Sequence, residues 1–145
     1  MKKGTVLTIS LLAIIITSVS AHSDISVYQD LLTVVNSEGD ETSCSLSGDG
    51  KTFVFTRREK GENQWDIYIT ANVNGKWGKP EPVTAVNTGS DEISPFISKD
   101  GNLLFFASNR QGSQKNSSAS RPSFDIYHCE KSGDTWTSPV QLYGS

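Results

Sequence analysis

The side chains that could do chemistry in this chain fall into four small sets. They are two histidines (His22 and His128), two cysteines (Cys44 and Cys129), the carboxylate pairs Asp40-Glu41 and Asp91-Glu92, and three tryptophans (Trp65, Trp77 and Trp136). A serine or cysteine nucleophile needs a base within hydrogen-bond reach and an acid that orients the base. The sequence holds no Gly-x-Ser-x-Gly, and His128 follows Asp-Ile-Tyr in the middle of an apparent strand, so it reads as an ordinary strand residue. His, Cys, Asp and Glu show no zinc-ligand spacing, so neither a metal nor any other cofactor is implied. The chain reads as a non-enzyme with no catalytic residue.

Paired carboxylates can do acid–base work across a cleft in glycoside hydrolysis, and a rim of them can bind calcium through oxygen. Here the pairs recur 51 positions apart, as do Asp49 and Asp100. One occurrence per repeat favours a structural role: capping turn N–H groups and orienting neighbouring segments. Indole rings stack on sugars, which makes carbohydrate a partner class to consider. Trp77 and Trp136 are repeat-equivalent and read as packing anchors. Trp65 is matched by Phe124 and follows a polar loop, 58–64, so it reads as the more exposed ring and a binding residue.

The elements that position these residues follow from an internal repeat. Between 35–58 and 86–109, nine of 24 aligned positions are identical: Val35, Asn36, Asp40, Glu41, Ser43, Ser47, Asp49, Gly50 and Phe55. Chance would give roughly one or two, and a period near 50 residues points to propellers or arrays. The match continues at an offset of 59, where Trp65-Asp66-Ile67-Tyr68 meets Phe124-Asp125-Ile126-Tyr127. The offset grows because the second copy carries a Ser-rich insertion within 111–123. That insertion reads as a surface loop, where binding specificity tends to reside. Arg110, Gln111, Lys115 and Arg121 in and beside it join Trp65 as candidate binding residues.

Each copy contains four short strand candidates. They are 44–47, 52–57, 66–72 and 83–86 in the first, and 95–98, 103–108, 125–130 and 140–143 in the second. Asp49-Gly50, Asn74-Gly75, Asp100-Gly101 and Gly133-Asp134 lie between them. These dipeptides tolerate the positive φ that tight hairpins need. No helical period stands out. Phe53-Val54-Phe55 and Leu103-Leu104-Phe105-Phe106 are continuously apolar, which predicts cover on both faces. Four-stranded antiparallel sheets stacked face to face provide it, as in a β-propeller. A flat β-sandwich leaves the 51-residue self-match unexplained.

The amino end reads as a secretory signal over 1–21, with Lys2-Lys3, an apolar stretch and a cut after Ala21. An uncleaved anchor helix is the alternative. The remaining 124 residues, 22–145, carry a net charge of −5 once Lys2 and Lys3 are removed from a chain of −3. That balance gives no electrostatic case for nucleic acid or an anionic membrane. Arg57-Arg58 reads as a solvated strand end. An oxidising compartment permits a disulfide between Cys44 and Cys129, with two small buried thiols as the alternative.

SCSLSGDGKTFVF (43–55) and SPFISKDGNLLFF (94–106), each preceded by Asp-Glu, resemble the SPxxSPDGKxLYF core of TolB-like, WD-type propeller repeats. Ala107-Ser108-Asn109-Arg110, Asp125-Ile126-Tyr127 and Trp136-x-x-Pro139 resemble the family's continuation. Cys44, Gly48, Lys99 and Arg57-Arg58-Glu59 depart from the pattern. The resemblance implies an all-β chain of propeller-type, four-stranded antiparallel blades, blade one about 36–86 and blade two about 87–143. Segment 31–41 aligns with 82–92 and reads as one extra strand, making an incomplete propeller. Two blades and a strand cannot close a ring, so self-association to complete one is an expected possibility beside truncation. The expected role is a protein-interaction scaffold in the periplasm or secreted, associated with the outer envelope and an envelope protein partner. A carbohydrate-binding, carbohydrate-active or peptidase-linked propeller is the alternative.

Overall fold

Each Asp-Gly turn closes a hairpin by a mechanism its residues supply. Ser47 Oγ donates to Asp49 Oδ1 at 2.6 Å, the same carboxylate accepts from Lys51 N–H at 3.0 Å, and Gly50 takes φ 70°. Ser98, Asp100, Asn102 and Gly101 (φ 73°) repeat the arrangement. In both turns the hydroxyl also accepts from the first N–H of the next strand, Thr52 or Leu103, at 2.9 Å. Asn74-Gly75, with φ 53° and 82°, makes the next hairpin of the first copy.

The computed structural model describes residues 26–113 and 123–142. The expected signal segment 1–21, Lys115, Arg121 and the end of the last expected strand at Tyr143 lie outside them. Sheet one is built from β1 (Asp40–Leu46), β2 (Thr52–Arg58), β3 (Asp66–Val73), β4 (Lys76–Trp77) and β5 (Glu81–Pro82), all antiparallel. β4 and β5 share the free edge of β3, so they act as one outer strand broken at Gly78–Pro80. Proline has no N–H to continue a ladder, and Pro80 is buried at the break.

Sheet two repeats the plan with β6 (Glu92–Ile97), β7 (Leu103–Ser108), β8 (Asp125–Ser132), β9 (Thr135–Trp136) and β10 (Val140–Gln141). In the first strand of each sheet, β1 and β6, the register slips at a serine held at positive φ, Ser43 at 44° and Ser94 at 54°. The chain is therefore mostly β, in two blade-like antiparallel sheets.

The extra strand expected at 31–41 is not one. Residues Ser26–Val35 form a helix, α1. Tyr28, Leu31, Leu32 and Val35 recur at helical spacing, and the stripe buries Leu31 and Val35 completely. The repeat alignment of this segment still has a structural basis. Asn36 N–H bonds Leu32 O at 3.1 Å, and Asn87 N–H bonds Val83 O at 2.9 Å. The shared Val-Asn ending is thus the same helical turn before the first strand of each sheet. For the same reason 83–86, expected as the fourth strand of copy one, is a turn following β5.

Three layers result, in the order α1, sheet one, sheet two. One apolar cluster joins Leu31 and Val35 of α1 to Phe53, Phe55, Tyr68 and Trp77, with Cys44 packed at its side. The other joins Val54, Ile67, Val83 and Val86 to Ile97, Leu104, Phe106, Tyr127 and Cys129. The continuous apolar run of β2 is explained: alternate side chains serve α1 and sheet two, as the two-residue period of a strand dictates.

Candidate functional site

The repeated carboxylates are engaged in the fold. Glu92 is fully buried, and its oxygens accept from Thr88 N–H at 2.7 Å, Thr88 Oγ1 at 2.8 Å and Ser108 Oγ at 2.7 Å. Arg110 Nη2 pairs with Glu92 at 3.2 Å and donates to Val86 O at 2.7 Å. Its guanidinium lies 4.7 Å from the Tyr127 ring centroid and 5.1 Å from that of Phe106.

In copy one the same assembly is built around Arg57. It pairs with Glu41 at 2.9 Å, donates to Val35 O at 2.6 Å, and lies over Tyr68 at 4.6 Å and Phe55 at 5.2 Å. The expectation that Arg57 is solvated is therefore corrected: its side chain is 9% exposed, because it closes the carboxyl end of α1 and neutralises Glu41. Arg58 is the half-exposed neighbour, holding Asp40 at 2.5 Å.

Asp91 ties the sheets together. Its carboxylate accepts from Trp65 N–H at 3.1 Å, and Glu92 N–H donates to Trp65 O at 2.7 Å. The Asn87 amide completes the junction, accepting from Ile67 N–H and donating to Ile67 O, both at 2.9 Å. Between the β1–β2 and β6–β7 turns Gly48 N–H donates to Lys99 O at 2.8 Å, and a Cβ on Gly48 would stand 2.9 Å from that oxygen. Only glycine allows this approach.

At this junction an open cleft of about 450 Å3 is lined by Glu62, Asn63, Gln64, Gly89, Ser90, Asp91 and Asn109. Its first wall is the loop joining β2 to β3, where the copies differ in sequence. Its second wall is the link between the sheets. Gln64 Nε2 donates to Thr88 O at 3.2 Å across the junction. The lining is amide, hydroxyl and carboxylate, suited to hydrogen-bonding a polar partner. Near it Asp66 carries a buried Oδ1 without a hydrogen bond. Burial, reinforced by the charges of Glu92 and Asp91, raises its pKa above the usual carboxylate value.

The sequence-derived binding residues separate in space. Trp65 adjoins the cleft wall, half-buried, with the Arg58 guanidinium 4.7 Å from its ring. Arg110 faces inward, engaged with Glu92, Val86 and two aromatic rings, its side chain 15% exposed. Gln111 is exposed, while the nearby Ser113 is buried and bonds Tyr127 Oη at 2.8 Å. Residues 62–64 and 89–91 were missed as a site. The polarity of 58–64 was visible in sequence, but its approach to 87–91 was not.

Trp77 and Trp136 pack against the two apolar clusters. His128 lies mid-strand in β8, stacked on Phe105 with ring centroids 5.9 Å apart. The disulfide considered from sequence is not formed. Cys44 and Cys129 are free thiols in different clusters, on opposite sides of β2, and burial pushes each pKa up to about 11. No protein-family model matches this chain, and no curated protein sequence matches it.

Proposed function

We propose that this chain is an exported, non-catalytic interaction scaffold, a TolB-like propeller-repeat protein acting in the periplasm or at the outer envelope. One observation carries the reading. The repeated carboxylates Glu41, Asp91 and Glu92 are bound by an arginine, a backbone N–H or a hydroxyl of the fold, while an open polar cleft is walled by the unrepeated residues 62–64. A stacked pair of sheets that holds a variable loop rigidly suits partner binding. The signal-like segment 1–21 supports export.

The partner class is a protein surface rich in hydrogen-bonding groups. Placing a photo-crosslinker at Asn63 in cells should trap one defined envelope protein, and Glu62→Arg should abolish that adduct while leaving the fold unchanged. A crosslinker at Thr33, on the outer surface of α1, should not trap it. Equal trapping from both positions would sink the reading.

A carbohydrate ligand is the second reading, favoured by the amide-rich lining beside Trp65. Binding on a glycan array that is lost in Trp65→Ala would select it over the protein partner.

A further inference from the structure

We infer that the outer face of sheet two is the contact surface of a two-fold dimer of this chain. The inference goes beyond the scaffold role and does not depend on it, because the polar cleft is not part of this face. Leu104, Phe106, Tyr127 and Cys129 point into the cluster between the sheets, so the alternate residues of β7 and β8 point away from sheet one. Phe96, Phe124, Ile126, Val140 and Leu142 are 58%, 45%, 48%, 56% and 46% exposed. Phe105 lies among them, its ring 6.3 Å from Phe96 and 5.9 Å from His128.

The repeat provides an internal control for how apolar this surface needs to be. The face of sheet one that sheet two covers carries Ser45 where the open face has Phe96, Thr52 where it has Leu103, and Val54 where it has Phe105. Ser45 Oγ meets Ile97 N–H of sheet two at 3.2 Å, which places it in the covered junction. Glu81, itself exposed, stands at the position of Val140, and Ile69 stands where the open face has His128. At 96, 103 and 105 the open face is thus more apolar than the face of sheet one that sheet two covers, the reverse of what solvent exposure would select.

Area and charge fit a second copy. At ~150–200 Å2 for each large apolar side chain, half-exposure of these five leaves roughly 400–500 Å2 per chain. That already covers about half of the ~800 Å2 per partner in a stable interface, and Phe105, Leu103, Ile93 and the rim extend it. Of the β7, β8 and β10 side chains directed to this side only Glu130 is charged, at the end of the row opposite Leu103. Two copies therefore meet without a like-charge clash at the centre. A head-to-tail neighbour packed directly on the far face of sheet one would instead have to displace α1 from Phe53, Phe55 and Tyr68. Facing the two open sheets covers both at once and stops at two chains.

The test is the mass of the purified full chain by sedimentation equilibrium across concentration. Two chains are expected. Phe96→Ser combined with Val140→Glu moves two open positions to the residues the first repeat carries there. This variant should weaken the dimer by at least roughly 100-fold while keeping the circular dichroism spectrum. Thr33→Glu on α1 should leave the dimer intact. A single-chain mass at every concentration, a dimer that survives the double variant, or assembly beyond two chains would each overturn the inference. A Glu62→Arg variant that loses its envelope partner yet stays dimeric separates this result from the cleft reading.

Discussion

Sheet one buries Phe53, Phe55 and Tyr68 under α1 and Val54 and Ile67 under sheet two. Sheet two buries the equivalents of the first set, Leu104, Phe106 and Tyr127, but leaves Ile126 48% exposed where Ile67 is fully covered. The strand pattern is therefore common to both copies, and the difference lies in what comes next to each face. Ahead of sheet one a helical turn has been lengthened into α1, which covers the first face. Ahead of sheet two the same turn is short, and sheet one itself provides the cover.

The buried ion pairs show a second form of the same lesson. Arg57 and Arg110 perform one task from non-equivalent positions, since the 51-residue offset places Arg57 against Ser108 and Glu59 against Arg110. Each reaches a repeat-equivalent glutamate, a repeat-equivalent valine carbonyl and a repeat-equivalent pair of rings. Tyr68 and Tyr127 likewise find different partners, Glu59 and Ser113. What the repeat preserves is an electrostatic requirement: a buried carboxylate and an open helical turn both need a cation.

The sharpest way to break this comparison is to remove one glutamate at a time. Glu92→Ala leaves Arg110 buried without its counter-charge and should cost about 3–5 kcal/mol. Glu41→Ala, where Arg57 retains Glu59 at 3.4 Å, should cost about 2 kcal/mol. Urea unfolding measures both, and equal losses would mean that burial does not distinguish the two copies. Leu31→Ala, which opens a cavity beneath α1, should cost about 2–4 kcal/mol and perturb the fluorescence of Trp77, which shares that cluster.

Thiol labelling separates the two clusters more finely. At pH 8 both cysteines should react far more slowly than a free thiol, because burial raises each pKa to about 11 and the thiolate is the nucleophile. Cys44 should react before the more deeply buried Cys129. Leu31→Ala should speed Cys44 alone; acceleration of both would show that the layers loosen together.

The smallest effect should be common to both copies. The Ser47 and Ser98 hydroxyls hold Asp49 and Asp100 below the usual carboxylate value of 3.8. Their stabilisation is complete above that value and is lost as pH falls through the lower folded values. Asp49→Asn and Asp100→Asn should flatten the acid limb of the stability curve equally, and unequal slopes would show that the hairpins are not equivalent.

The β1–β3 and β6–β8 strands were legible because Asp-Gly turns and apolar runs are local signals. The exposed outer strands were less so: two-residue pieces around Pro80 and Pro139 carry little pattern, and the Val83–Val86 run reads as strand from its β-branched residues. α1 was hidden for a related reason. Its ten residues end in Thr-Val-Val, and their match to a presumed strand outweighed the Tyr28, Leu31, Leu32, Val35 spacing. The cleft was half legible, since the polar loop was visible but its opposite wall, Gly89 to Asp91, lies more than twenty residues away.

By itself the sequence determined two copies of a hairpin-rich antiparallel sheet, because turn chemistry and two-residue periodicity act over a few neighbours. Tertiary structure alone decided which faces are covered, that Arg57 is buried, that the thiols stay apart, and that a helix replaces the expected strand. Those outcomes depend on what lies across a layer, and burial and charge pairing act through space between residues the chain keeps far apart.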